Sequence, residues 1–229
     1  MSNRLLELTA ASDLELIEPH LERVQSAKGE VCIEPFQPIH YVYFLDGGLG
    51  STVIPDGVSG ISDVGMQGYE GLIGVPAILG VDQSPHKVFM QVGGPMRKIR
   101  IEPLRLAMDR SPAFRDLLLS YVHVFLLQTA QTAHVNARFK VEERLARWIL
   151  MAADRLGPEL ALTHEYLSNM LGVRRPSVTE ALHILEGERL ITSKRNHIVA
   201  RDRAGLEALA GFGYGIAEAE YRRLISGKP

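Results

Sequence analysis

Residues 162–201 read LTHEYLSNMLGVRRPSVTEALHILEGERLITSKRNHIVAR, and this stretch decides how the C-terminal half folds. Thr163 stands where a side-chain oxygen can cap a helix, Glu165 suits that helix's positive end, and Leu167, Met170 and Leu171 share one face. Gly172 permits a sharp turn, and Val173 gives the turn an apolar anchor. In the next run Val178, Ala181, Leu182 and Leu185 recur at i, i+3, i+4 and i+7, which leaves Ser177, Thr179, Glu180 and His183 facing outward. Proline disfavours the helical conformation in the residue before it. Arg175 is therefore expected at the cap, with Pro176 opening a second helix that runs to about Glu186. Two helices joined across a glycine turn make a helix-turn-helix. The run LITSKRNHIVAR after them reads as a β-hairpin, or wing, with a basic tip.

Such a surface suits double-stranded DNA. Arg174 and Arg175 bring cationic forks to the start of the second helix, Ser177 and Thr179 can donate to phosphate, and Glu180 can accept from a cytosine amino group. His183 lies on the same outward face. Lys194 and Arg195 at the wing tip would add sequence-independent affinity that falls with salt.

Upstream, Val141 to Leu156 reads as a helix with Leu145, Trp148, Ile149 and Ala152 on one face, ending at Gly157-Pro158. Before it, Ser111-Pro112 opens a segment with no glycine or proline until Gly157, room for a long helix interrupted near Asn136. Its middle is apolar nearly all round, so it needs partners on more than one side. Leu119, Val122, Leu126, Thr129 and Ala133 step by 3, 4, 3 and 4, a seam for a second copy of the same helix and hence a homodimer.

From about residue 30 to 102 the texture changes to short runs such as YVYFL, STVI, KVFMQV and RKIRI. Twelve of the 21 glycines fall between Gly47 and Gly94, a density that predicts many short strands joined by glycine turns in an antiparallel roll. Residues 3–24 carry Leu5, Leu8, Leu14, Ile17, Leu21 and Val24 at helical spacing and predict one or two leading helices, with Ser12 or Asp13 as a cap. The tail from Gly205 to Pro229 reads as a final helix packed on the winged domain. The expected class is α+β, divided into a roll over 1–110, a dimerisation helix over 111–136 and a winged helix-turn-helix over 137–229.

Charge follows the same division. The net −2 of the 229 residues splits into −5 over residues 1–136 and +3 over residues 137–205, which locates nucleic acid at the basic end. Cys32 is the sole cysteine, so no intrachain disulfide and no cysteine-ligated zinc or iron–sulfur centre can form in one chain. With no signal-like leader and no apolar run of spanning length, a cytoplasmic setting is expected.

The order of parts resembles the Crp/Fnr family of bacterial transcription regulators. The resemblance covers about residues 10–205 and is most specific at Leu162-Thr163, Leu171-Gly172-Val173-Arg174-Arg175, Val178, Leu182, Leu185-Glu186 and Leu190-Ile191. It implies a homodimer on a two-fold-symmetric DNA site, a signal received by a cyclic-nucleotide-binding-like roll, and RNA polymerase as a further partner. Cyclic-nucleotide binders of the family hold their ligand with a Gly-Glu pair and an Arg-Ser pair. Here the corresponding pocket would be Gly71, Gly74, Gln83, Ser84 and His86, with Val75 in place of the glutamate and Gln83 in place of the arginine. Loss of that bidentate guanidinium predicts that cyclic AMP is not the effector, unless Lys87 or His86 substitutes. The family's cyclic-AMP-responsive members also show Arg-Glu and, four positions on, Arg; this chain keeps Arg175 but has Pro176 and Glu180, so it should read a different DNA sequence.

No cofactor or metal is expected. His123 and His134 share a helix face but lie about 16 Å apart along it, too far to hold one ion. Gly47-Gly48-Leu49-Gly50-Ser51-Thr52 lacks the lysine of a phosphate-binding loop, and no nucleophile motif of a hydrolase is present, so catalysis is not expected. The alternative in another class is a ligand-binding or oligomerising module without DNA binding.

Overall fold

The computed structural model describes residues 2–55 and 61–227. Gly57 and Gly60, counted among the roll's glycines, and the last two residues of the tail lie outside the described residues. The chain divides into two compact units. One comprises residues 1–52, 66–126 and 219–229; the other comprises residues 53–65 and 127–218.

The first unit opens with α1 (Arg4–Leu8), α2 (Ala11–Ile17) and a 3-10 turn at Glu18–His20. The cap of α1 is Asn3, whose Oδ1 accepts from Leu6 N, and α2 starts after Ala10 with no side-chain cap. Ser12 and Asp13 thus lie inside α2 rather than capping it. Val24 is not helical either: Pro19 closes the helical run, and Glu22–Gln25 forms β1, paired antiparallel with β8 (Pro95–Arg100) so that Val24 faces Met96. The free edge of β8 takes up backbone groups that a longer helix would have satisfied internally.

The remaining strands are β2 (Val31–Ile33), β3 (Tyr41–Leu45), β4 (Leu49–Pro55), β5 (Ile61–Gln67), β6 (Leu72–Ile73) and β7 (Lys87–Val92), with α3 (Val75–Ile78) between β6 and β7. They form two four-stranded sheets in the orders β1-β8-β3-β6 and β2-β7-β4-β5. The expected roll is therefore present. Val42 and Phe44 of β3, Met90 of β7 and Ile99 of β8 are fully buried in its core, as alternation along half-buried strands requires. After α4 (Ile101–Arg110), the long helix α5 (Pro112–Arg138) begins, and it runs unbroken past Asn136. Phe114, Leu118, Tyr121 and Val122 of α5 complete the same core.

In the second unit, α6 (Val141–Leu156) carries Leu145, Trp148, Ile149 and Ala152 fully buried. Next come β9 (Glu159–Leu160), α7 (His164–Leu171), α8 (Arg175–Gly187), β10 (Ile191–Lys194) and β11 (His197–Ala200). The three strands make one sheet in the order β10-β11-β9. Beyond α9 (Arg203–Ala210) the tail is a 3-10 turn at Gly211–Gly213, then α10 (Ile216–Tyr221), then a short π-helical turn at Arg222–Ser226. The tail is thus not one helix on the winged domain. From Ala219 onward it belongs with the first unit, where Tyr221 Oη donates to Glu70 O at 2.7 Å and Ile225 enters the core. None of the described helices is long and apolar enough to cross a membrane.

Candidate nucleic-acid interface

Helix α7 starts where Thr163 Oγ1 accepts from Tyr166 N at 3.1 Å. It stops at Gly172, whose φ of 60° and ψ of 37° lie in the left-handed region. The Cβ of any other residue would meet no atom within 4 Å there, so the requirement for glycine is conformational, not steric. Arg144 of α6 donates to Leu171 O at the same helix end, which fastens the turn to the helix beneath it. Burial holds the Arg144 guanidinium below its ordinary pKa.

Helix α8 begins one residue earlier than the proline rule suggests. Arg174 is the cap and extended (φ −73°, ψ 150°), Arg175 opens the helix, and Pro176 occupies its second position. Proline there still costs no hydrogen bond, because the first-turn amides have no partner inside the helix. Val178, Ala181, Leu182 and Leu185 are buried, while Arg174, Arg175, Glu180 and His183 are exposed and Ser177 and Thr179 half-buried. The eight residues expected to meet DNA divide as their positions dictate, six on α8 and its cap, and Lys194 and Arg195 exposed at the wing tip.

Strands β10 and β11 pair so that Lys194 faces His197, leaving Arg195 and Asn196 as the turn. Asn196 has φ 59°, which asparagine tolerates better than most residues. Glu186 of α8 accepts from Ser193 N at 2.8 Å, tying the wing to the helix. Between them lies a cleft of about 410 Å³, whose lining includes His164, Thr179, His183, Lys194 and Arg195.

Two residues on α7, not among the eight expected to meet DNA, join this surface. Glu165 Oε2 lies 2.9 Å from Arg175 Nη2, and His164 Nδ1 lies 3.5 Å from Thr179 Oγ1. Their place on α7 was readable, but the crossing that brings α7 onto the start of α8 was not.

The five residues proposed as an effector pocket serve the first unit's backbone in four cases. A Cβ on Gly71 would sit 2.2 Å from the Tyr121 hydroxyl, and that hydroxyl donates to Leu72 O at 3.3 Å. Gly74, at φ 122°, lies against Val42. Ser84 is buried, and its Oγ accepts from His86 N at 3.1 Å. Gln83 is exposed, and Lys87 pairs with Glu34 at 3.8 Å.

Among the proposed seam residues, Leu119 is 38% and Leu126 55% exposed, Ala133 is exposed and Thr129 half-buried. Val122 is 3% exposed and packs in the core of the first unit, so it is not on the exposed face of α5. The exposed stripe on α5 instead reads Asp116, Leu119, His123, Leu126, Ala130, Ala133 and Ala137. Its steps of 3 and 4 alternate without a break over the length of the helix.

Residues 143–209 match the family of Crp-like helix-turn-helix domains. No curated protein matches the chain. Among solved structures, FixK2 from Bradyrhizobium japonicum superposes with a TM-score of 0.72 at 17% identity, over 83% of this chain and 98% of its own. A CRP-family transcriptional regulator from Thermus thermophilus gives 0.67 at 17% identity, over 83% and 96%. The c-di-GMP-responsive regulator CLP of Xanthomonas campestris gives 0.65 at 17% identity, over 83% and 99%. At these identities the likeness is one of fold. Residues 143–209 thus match a Crp-like helix-turn-helix domain, and the chain shares its fold with these solved regulators.

Proposed function

We propose that this protein is a DNA-binding transcription regulator of the Crp/Fnr type, a cytoplasmic homodimer joined along α5 that reads a two-fold-symmetric site and catalyses no reaction. The observation that carries this reading is the surface on which Thr179 and His183 of α8 and the basic wing tip, Lys194 and Arg195, border one cleft. Phosphate contacts fix register and base-edge contacts specify. Lys194 and Arg195 belong to the first kind. Arg175 and Glu180 belong to the second.

Selection from random duplexes tests the reading. It should enrich a palindrome, bound with an affinity that falls steeply with salt. Arg175→Ala should lose roughly 1–3 kcal/mol of discrimination at one position per half-site, whereas Lys194→Ala should weaken all sequences together. A pool that enriches nothing would leave only a ligand-binding or oligomerising module.

The roll, on this reading, does not answer to cyclic AMP. Gln83 offers no guanidinium for a cyclic phosphate, and the nearby Lys87 is engaged by Glu34. Isothermal titration with cyclic AMP should give no heat at micromolar protein, and a saturable isotherm there would overturn the assignment.

A further inference from the structure

Arg147 of α6 is a charged residue that no step of DNA reading uses, yet it is 2% exposed. Its guanidinium joins three separate pieces of the second unit. Nε donates to Gly213 O at 2.8 Å, in the 3-10 turn of the tail. Nη2 donates to Thr132 Oγ1 at 3.0 Å and to Gln128 O at 3.3 Å, both on α5. The guanidinium carbon lies 5.4 Å from the ring of the adjacent Trp148.

The tail answers from its own side. Gln131 of α5 donates to Phe212 O, one residue before the carbonyl that Arg147 takes. Gly213 itself is buried, and a Cβ there would come within 3.2 Å of Val135 on α5. Two successive carbonyls of one short turn are therefore caught, one by α5 and one by α6, with no room between the turn and α5.

Helix α5 carries the exposed seam, and α6 supports the helix-turn-helix through the bond from Arg144 to Leu171 O. The angle between the C-terminal part of α5, which carries Ala130, Ala133 and Ala137 of the stripe, and the recognition helix is thus fixed inside the second unit, at the joint that Arg147 fills. We propose that Arg147 and the turn Gly211–Gly213 form a clamp that sets this angle and thereby sets the spacing between the two DNA half-sites that the dimer accepts. This rests on the homodimeric reading given above. A bidentate, planar guanidinium can hold three acceptors in fixed directions, whereas an ammonium on a flexible stem cannot. A clamp that loosens lets each head swing, and a dimer with swinging heads tolerates half-sites that a rigid one rejects.

One added base pair moves a half-site by about 3.4 Å and turns it by about 34° around the DNA axis. The experiment measures binding of the full chain to its selected palindrome with the central spacer unchanged, one base pair longer and one shorter, for the wild type, Arg147→Lys and Gln131→Ala. Gln131 is half-buried, so its variant keeps the test open if Arg147→Lys fails to fold. The wild type should prefer its own spacer by about tenfold or more, and each folded variant by no more than about threefold, with affinity for an isolated half-site unchanged. A purely structural role for Arg147 would lower thermal stability and leave the spacer preference intact, and that result overturns the proposal. If instead the wild type sediments as a monomer and binds a lone half-site as tightly as a pair, the dimer falls and the clamp falls with it.

Discussion

Cys32 occupies the point in β2 where the register with β7 shifts, between the pairs Val31–Phe89 and Ile33–Val88. Burial, helped by the neighbouring Glu30 carboxylate, pushes its thiol up to about 12, and burial likewise pushes Tyr43 on β3, in the other sheet, up to about 12. Both groups are favoured in their neutral form by folding. Their contribution is intact below the unfolded values, ~8.5 for the thiol and ~10 for the phenol, and is lost as the pH climbs from there toward 12. The melting temperature should therefore be flat from pH 7 to 8.5 and fall above it, with Cys32→Ala removing the earlier part of the fall. Iodoacetamide at pH 8 should label the folded chain far more slowly than the chain in urea. Equal rates would mean that the thiol is neither shielded nor raised. Cys32 falls in the stretch from about residue 30 whose texture predicts short strands, but the bulge depends on a pairing partner more than 50 residues away. Arg147 was less legible still. It counted only toward a basic C-terminal half, because the acceptors that justify burying it come from α5 and the tail, and no local pattern announces them.

Among the elements, those specified by near neighbours were the readable ones. Thr163, Gly172 and the i, i+3, i+4, i+7 spacing from Val178 to Leu185 define α7, its stop and α8 within 23 residues, and the structure follows them to within one residue at Arg175. The leading segment was misread beyond Ile17 because the edge of β8, more than 70 residues on, recruits Glu22–Gln25 into a strand. Tertiary context overrides propensity in this way wherever a sheet edge needs covering. The same contrast predicts how two glycines respond to substitution. Gly172→Ala meets open space and should cost only the left-handed backbone penalty, ~1–2 kcal/mol. Gly71→Ala drives a methyl into the Tyr121 ring and breaks its bond to Leu72 O, so it should cost more, ~3 kcal/mol or above. Urea unfolding ranks them. Adding Tyr121→Leu should recover part of the loss at Gly71 and none at Gly172, and the reverse order of costs would show that the ring can move aside.

For the molecule as a whole, the two compact units cut across the linear division into roll, helix and winged domain. The long helix crosses from one unit to the other after Leu126, and the chain returns to the first unit at Ala219. The dimer proposed above rests on the surface of α5. Leu119 and Leu126, at 38% and 55% exposure, share with Asp116, His123 and three alanines a stripe whose 3- and 4-residue steps match the period of a helix pair, and the alanines toward its C-terminal end let two backbones approach closely. Two single-protomer explanations fail. A helix needing only its own core would bury Leu119 and Leu126 as it buries Leu118 and Val122, and a solvated helix would carry more charge than the Asp116 and His123 of this stripe. Leu126→Glu should therefore leave the unfolding free energy of the protomer within about 0.5 kcal/mol, since the side chain is 55% exposed. Yet facing glutamates across the two-fold axis should dissociate the dimer. Sedimentation equilibrium at about 10 µM, a concentration at which a stable dimer of micromolar or better affinity persists, should give the mass of one chain. Binding to the paired site should drop to that of a lone half-site, because the two contacts then no longer act at a shared effective concentration. A Leu126→Glu protein that remains dimeric would move the seam off this stripe, and with it the distance between the two recognition helices.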